Sequence, residues 1–545
     1  MKSFKSLFAM VLCLILAISF SACGAGGNSG TAAATTAGGA DTAASAAASE
    51  PAKADPLKNK LEISLAFWQD GDAFPTTDTK DAITSQIEKD LNITVKPVLI
   101  SWTDYQEKYK LWASSNSLPD VLADDGIGNN DIWPWQSQGV IRPLPADLSP
   151  YPYLKKVLDI PQTKLLFKDG KYWAIPRIGN YSAENQYTQV ILMYKDIYDS
   201  LGLSAAPVTM DDFIKMFEQI KTKYPNKVPL TTHTIKWTFS LMRNYNPYGD
   251  AWTLEDGKWI PGFFSKTTLE GIKAIKPFWD ENLIDKDFTI NGQSFNGQDK
   301  FINGDAASII FTPFTGHWTQ QYIPKWNAKH PDQNMADALV VLNMPTKPDK
   351  INYIGEGMLF WSESYISAKV DDEKFDRILR LYDYLESPKG MDLRWYGIEG
   401  TDFTKAGDSY TITRAKDKTG AFTALQSLYK SEIVWQPLST WNDDFAWTDP
   451  SNDPKVAKMG QDWLQWKAQN SRAPENYNIM ISALNTPLKS KFSYNANADD
   501  LVRLFISKGD LDKQWNDLMQ KYKDQGYDAF IDEVNTEAKN AGLIN

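Results

Sequence analysis

The chain's two cysteines, Cys13 and Cys23, both fall within its first 23 residues. Everything after them must therefore fold without a disulfide, on hydrophobic burial and hydrogen bonding alone. Lys2 and Lys5 give a short positive start, and Leu7 to Phe20 is a 14-residue, almost unbroken apolar run. A helix needs about 20 apolar residues to span a bilayer, whereas the apolar core of a secretory signal needs fewer. Residues 1–22 are accordingly expected to be a signal peptide.

Ser21-Ala22-Cys23-Gly24 resembles the bacterial lipobox, with Phe20 where that motif usually has Leu. The resemblance implies that Cys23 is acylated and becomes the first residue of the mature chain. Cys13 would be discarded with the signal. Of residues 24–50, 24 are Ala, Gly, Ser or Thr. Such a stretch cannot bury enough apolar surface to order itself, so residues 23–56 read as an acylated Cys and flexible tether. The expected location is the extracellular face of the cell membrane, lipid-anchored.

The rest of the chain is ordinary globular material, 42% hydrophobic and 23% charged. Net charge is −11 and no basic stretch stands against it, which excludes a nucleic-acid partner. Leu61 to Phe67 alternates as a strand, and Ile93–Leu99 and Val121–Ala123 give two more. Helical patterns lie between them, at Asp81–Asp90 and Asp104–Ser114. Thr209-Met210-Asp211-Asp212 opens a capped helix that Pro225 stops. Phe375, Ile378, Leu379, Tyr382 and Leu385 form a further apolar stripe. Strands alternating with helices predict an α/β fold with largely parallel sheets.

Catalytic and metal signatures are missing from the sequence. His233, His317 and His330 have no metal-ligand spacing, and no serine-hydrolase elbow or nucleotide loop occurs. Asp211, Asp212, Asp371, Asp372, Asp499 and Asp500 read as helix-start residues favoured by the dipole. Asp124 and Asp125 directly follow a strand, where ligands sit in open α/β sheets; a turn role competes with binding there. No catalytic residue, metal or cofactor is expected.

Several segments then read as a series: Leu118-Pro119-Asp120-Val121, Gly170-Lys171-Tyr172-Trp173-Ala174-Ile175-Pro176, Met193-Tyr194-Lys195-Asp196, Phe301-Ile302-Asn303-Gly304-Asp305 and Tyr396-Gly397-Ile398-Glu399-Gly400. Their order resembles the extracellular solute-binding lipoproteins of ABC importers, family 1, in the large oligosaccharide-binding branch of Gram-positive bacteria. The resemblance implies a two-lobed, type II periplasmic-binding-protein-like fold similar to the maltose-binding type, with hinge crossings near Tyr187–Met193 and Ile354–Ile366 and extra C-terminal helices. It implies an N-terminal lobe of 57–188 plus 360–430 and a C-terminal lobe of 189–358 plus 431–545. The implied partners are an oligosaccharide, the permease subunits and, through the anchor, the membrane; the expected state is a monomer. Where relatives carry an acidic calcium loop, this chain has only Lys221 to Thr231, so no structural calcium is expected there.

The chain holds 20 Trp, 24 Tyr and 25 Phe, 13% of residues. Aromatic rings stack on the apolar faces of pyranoses while polar side chains bond the hydroxyls. The candidate contacts are Trp68, Asp70, Asp124, Asp125, Trp173, Arg177, Tyr181, Trp237, Tyr245, Phe314, Trp318, Glu356, Trp361, Trp395 and Trp441. Trp68, Trp318 and Trp441 are the favoured platforms, and most other Trp residues belong to cores. Arg177 suits an inter-lobe ion pair as well as a ligand. The competing readings are a lipid-anchored carbohydrate-active enzyme, and a peptide or other non-sugar binder on the same fold.

Overall fold

The computed structural model describes residues 55–69, 80–101, 104–125, 131–179, 188–249, 251–290, 296–312, 322–416, 422–435, 438–440, 449, 452–484, 486–492 and 494–545. The expected signal segment, Cys23 and most of the tether lie outside them.

Leu61–Gln69 forms a strand, and Ile93–Ser101 pairs with it in parallel, Leu61 opposite Ile93. The Ala82–Leu91 helix between them starts at Asp81, whose carboxylate accepts the Thr84 N–H, and ends at a left-handed Asn92. Val121–Asp124 adds a third parallel strand. Phe360–Ile366 arrives from far along the chain and runs antiparallel, setting Glu363 opposite Asp124. Ile175–Ile178 completes the five-stranded sheet on its far side. Ile63, Leu65, Ala66 and Phe67 are all fully buried, although neighbours on a strand point to opposite faces, so both faces of this sheet are covered.

A second sheet has the order Leu339–Leu342, Val190–Tyr194, Ser308–Phe311, Thr231–Thr232. Only its last two strands are parallel; Val190–Tyr194 runs against both neighbours. The expectation of largely parallel sheets is thus corrected, and the cause is connectivity. Val190–Tyr194 and Phe360–Ile366 each bring the chain in from the other sheet. Each enters at the edge where its neighbours leave, and so runs against them.

Two separate hydrophobic cores form around these sheets. The first draws on residues between Ile63 and Ile178 and between Phe360 and Leu438. The second draws on residues between Val190 and Met344 and between Val456 and Ala538. Val434, Trp435 and Leu438 join the first core, past the expected boundary at 430, because the Trp435 indole N–H reaches Thr84 at 3.2 Å. The last helices, Tyr494–Ile506, Leu511–Asp524 and Tyr527–Asn540, pack on the second core, where Phe505 meets Phe239 and Phe288. Asp499 and Asp500 lie inside the first of these helices, not at its start. Asp500 is buried there because the Tyr522 hydroxyl, at 2.7 Å, and the Lys521 ammonium, at 3.1 Å, both donate to it.

Candidate ligand cleft

Parallel strands of the first sheet end together, which brings their last residues to one edge. Asp124 closes one strand, and the register places Glu363 directly beside it. Glu363 also faces Pro176 on the next strand, next to Arg177. Asp124, Arg177 and Glu363 are each about 1% exposed, so three charges share a buried edge. The Tyr365 hydroxyl donates to Glu363 at 3.0 Å. Burial pushes the Tyr365 phenol well up, and the carboxylates of Glu363, Asp124 and Asp125 add to the rise. The Arg177 guanidinium lies 5.9 Å from the Trp68 ring, and that ring packs on Tyr105 at 5.2 Å.

Above this edge opens a cavity of about 570 Å³, walled by both cores. The first core supplies Asp125, Phe360 and Glu363. The second side supplies Lys236, Trp237, Arg243, Asn246, Tyr248 and Trp252, and the C-terminal segments add Tyr477 and Lys489. Trp237 stands on the short Ile235–Thr238 helix, which Thr234 caps by accepting the Trp237 N–H at 3.1 Å. Its ring is fixed by His233 at 4.5 Å and Phe311 at 5.6 Å. The Tyr477 hydroxyl donates to the Glu356 carbonyl, and its ring lies so close to Gly355 that a Cβ there would sit 2.4 Å from it. Glycine is required at that point by contact rather than by dihedral angle.

Two cations complete the wall. Arg243 donates from Nη1 to the Gln189 carbonyl at 3.0 Å, and burial lowers its guanidinium to about 10. Lys489 donates to the Ser482 carbonyl and, at 2.6 Å, to the Leu484 carbonyl. Burial lowers its ammonium to about 7, with Asp125 pulling the other way.

Of the sequence candidates, Asp125 and Trp237 are among the described residues of this wall. Asp124 and Arg177 lie in the buried edge beneath it. Trp68, expected as a stacking platform, is 8% exposed and packs in the first core, because its strand is covered on both faces. Trp395 is buried on the Pro388–Trp395 helix. Trp173 is half-buried against the first core and donates to the Lys168 carbonyl at 3.1 Å. Tyr245 packs on the second core beneath the Lys347 ammonium, 5.4 Å from its ring. Glu356 is exposed and contributes its carbonyl. Asp70, Tyr181, Phe314, Trp318 and Trp441 lie outside the described residues, as does the side chain of Trp361. Sequence reasoning missed Arg243, Glu363, Tyr477 and Lys489. Glu363 alone carried a signal, an acid in the middle of an otherwise strand-like Phe360–Ile366 run.

His330 is the C-cap of Ile323–Lys329, with Nε2 2.6 Å from the Ile302 carbonyl. In the Lys221 to Thr231 connection the Lys227 ammonium bonds the Gly304 carbonyl. Among the described residues, no three His, Cys, Asp or Glu side chains group as metal ligands.

The family model for bacterial extracellular solute-binding proteins matches residues 73–392, more than half of the chain. The chain belongs to this family. The fructooligosaccharide ABC transporter substrate-binding protein FusA of Streptococcus pneumoniae serotype 4 is 29% identical to this binding protein over 237 residues, 39% of the chain. Lipoprotein LipO of Bacillus subtilis is 22% identical over 357 residues, 62% of the chain. These matches span 43% and 65% of the two relatives' own lengths. In three dimensions the binding protein resembles S. pneumoniae FusA in complex with kestose, with a TM-score of 0.66 at 20% identity, covering 89% of this chain and 100% of that one. It also resembles the alginate-binding protein AlgQ2, with a TM-score of 0.65 at 16% identity, covering 88% and 98%. The fold is therefore the two-lobed α/β fold of solute-binding proteins.

Proposed function

We propose that the binding protein captures an oligosaccharide between its two cores and delivers it intact to an ABC importer, held at the outer face of the membrane by an acylated Cys23. The observation that carries this reading is the cavity itself. Its wall combines rings (Trp237, Tyr248, Tyr477) with polar groups (Asp125, Lys236, Arg243), as a sugar with apolar faces and a polar fringe demands. The similarity to FusA, a fructooligosaccharide ABC transporter substrate-binding protein, supports a sugar as the cargo.

The enzyme reading needs two carboxylates facing each other across the sugar. The described wall carboxylates, Asp125 and Glu363, both come from the edge of the first sheet, while the second side offers Lys236, Arg243 and Lys489. That arrangement supports holding a ligand rather than cleaving it. The test is a panel of oligosaccharides incubated with purified protein, followed by chromatography. The expected result is binding of one class with every ligand recovered intact. Release of a shorter product would contradict it, and so would tight binding of peptides with no glycan bound. For the anchor, Cys23→Ala should move the protein from the membrane fraction to the medium; unchanged membrane retention would refute acylation at that residue.

A further inference from the structure

Three buried arginines away from the cleft are each met by several carbonyls or have carboxylates beside them, although each leaves its Nε without a hydrogen bond. Arg377 donates to the carbonyls of Pro56, Asn59, Leu91 and Asn92. Arg394 donates to those of Leu385 and Thr440. Arg414 has the charges of Asp402 and Asp449 beside it. Arg243 differs. It is half-buried, and among the described residues its hydrogen bond goes to the Gln189 carbonyl alone, its Nε has no partner, and no carboxylate lies within ion-pairing distance. It stands in the wall of the cleft. Lys489, in the same wall, likewise has two carbonyls and, among the described residues, no ion pair. A guanidinium drawn out of water against a single neutral acceptor is poorly compensated, and a planar carboxylate is the group that matches its fork.

From this geometry we infer that the cargo is an acidic oligosaccharide, one carrying a ring carboxylate, and that Arg243 is the residue that receives that carboxylate, with Lys489 supplying further positive charge to the cleft. The inference rests on the oligosaccharide reading and narrows it. The charges of the wall agree with one orientation. Asp125 and Glu363 belong to the first sheet's edge and would repel the acid group, so the acid turns toward Arg243 and the second core. The carboxylates of the first side are then left to accept ring hydroxyls, their natural donors.

The test compares oligouronates (galacturonate, mannuronate and glucuronate series) with their carboxyl-reduced neutral counterparts by calorimetry on the mature chain. At least one oligouronate should bind roughly tenfold or more tightly than its neutral counterpart, and the preference should shrink as salt rises. Arg243→Met should erase the preference, weakening the uronate roughly tenfold more than its neutral counterpart. Arg243→Lys should restore part of it, because Lys keeps the charge without the fork. Unaltered thermal unfolding of both variants separates this from misfolding, and Lys489→Met gives a second, independent reduction of the preference when binding is measured below about pH 7, where its ammonium is charged. Neutral sugars bound as tightly as the uronates, or a preference untouched by Arg243→Met, would overturn the acidic assignment and leave the oligosaccharide reading standing. If no glycan of either kind binds, both fall together.

Discussion

Lys489 shows how one side chain can couple the cleft to pH. Its ammonium is surrounded by carbonyls and by the wall of the cavity, and burial lowers it to about 7. The charged groups around it are Asp125 from the first sheet, which favours the proton, and Glu533, which accepts the N–H of the adjacent Leu488. An unfolded lysine keeps its proton to about pH 10.4. Between about pH 7 and that value the unfolded chain therefore holds a proton that the folded chain has lost, and stability rises with pH across the window. Below about pH 7 both states are protonated and the cost of burying the charge is fully present. Replacing Lys489 by Met should accordingly stabilise the apo protein most below pH 7, by on the order of 2 kcal/mol, with the gain fading toward pH 10. Denaturant unfolding at several pH values checks this. A gain that is constant with pH, or a loss at pH 6, would contradict the placement of the ammonium.

Among the elements, the Met210–Lys223 helix is the one whose start the sequence spelled out most completely. The Thr209 hydroxyl accepts the Asp212 N–H at 3.4 Å, and the Asp212 carboxylate accepts the Thr209 N–H at 2.9 Å. The Thr209 N–H, together with the Thr209 hydroxyl that donates to the same carboxylate at 2.7 Å, holds the Asp212 carboxyl below its ordinary range. Phe213, Met216, Phe217 and Ile220 then share one buried face. Thr209→Ala should cost about 1 kcal/mol, read as a lower denaturation midpoint with ligand affinity unchanged. An unaltered midpoint would show that the cap does no more than water would. Strands and helices like these were legible because their signals are local. The direction of Val190–Tyr194 was not, since a strand's orientation depends on which edge the chain enters from. Asp500 was misread for a related reason. A carboxylate after a polar stretch looks like a helix start, and only the approach of Tyr522 and Lys521 shows why it can be buried mid-helix.

At the scale of the whole molecule, the described wall of the cleft is assembled from residues as far apart as Asp125, Trp237, Glu363 and Lys489. No local pattern links them. The strand-end rule found Asp125 because it reflects the geometry of one sheet, and the search for exposed aromatics found Trp237. The same search selected Trp68 and Trp395, which the covered sheet and its helices bury instead. The chain passes between the cores after Ile178, after Met344 and after Leu438, and a ligand touching both walls would draw them together about those crossings. The account's central claim is that an oligosaccharide binds in this shared cavity. Its most direct test is a calorimetric titration of the panel's best oligosaccharide into wild-type protein, Trp237→Ala and Asp125→Asn, one residue from each wall. The account predicts a single site in the wild type and at least tenfold weaker binding in each variant, with folding intact. Wild-type affinity in both variants would place the ligand elsewhere and contradict it.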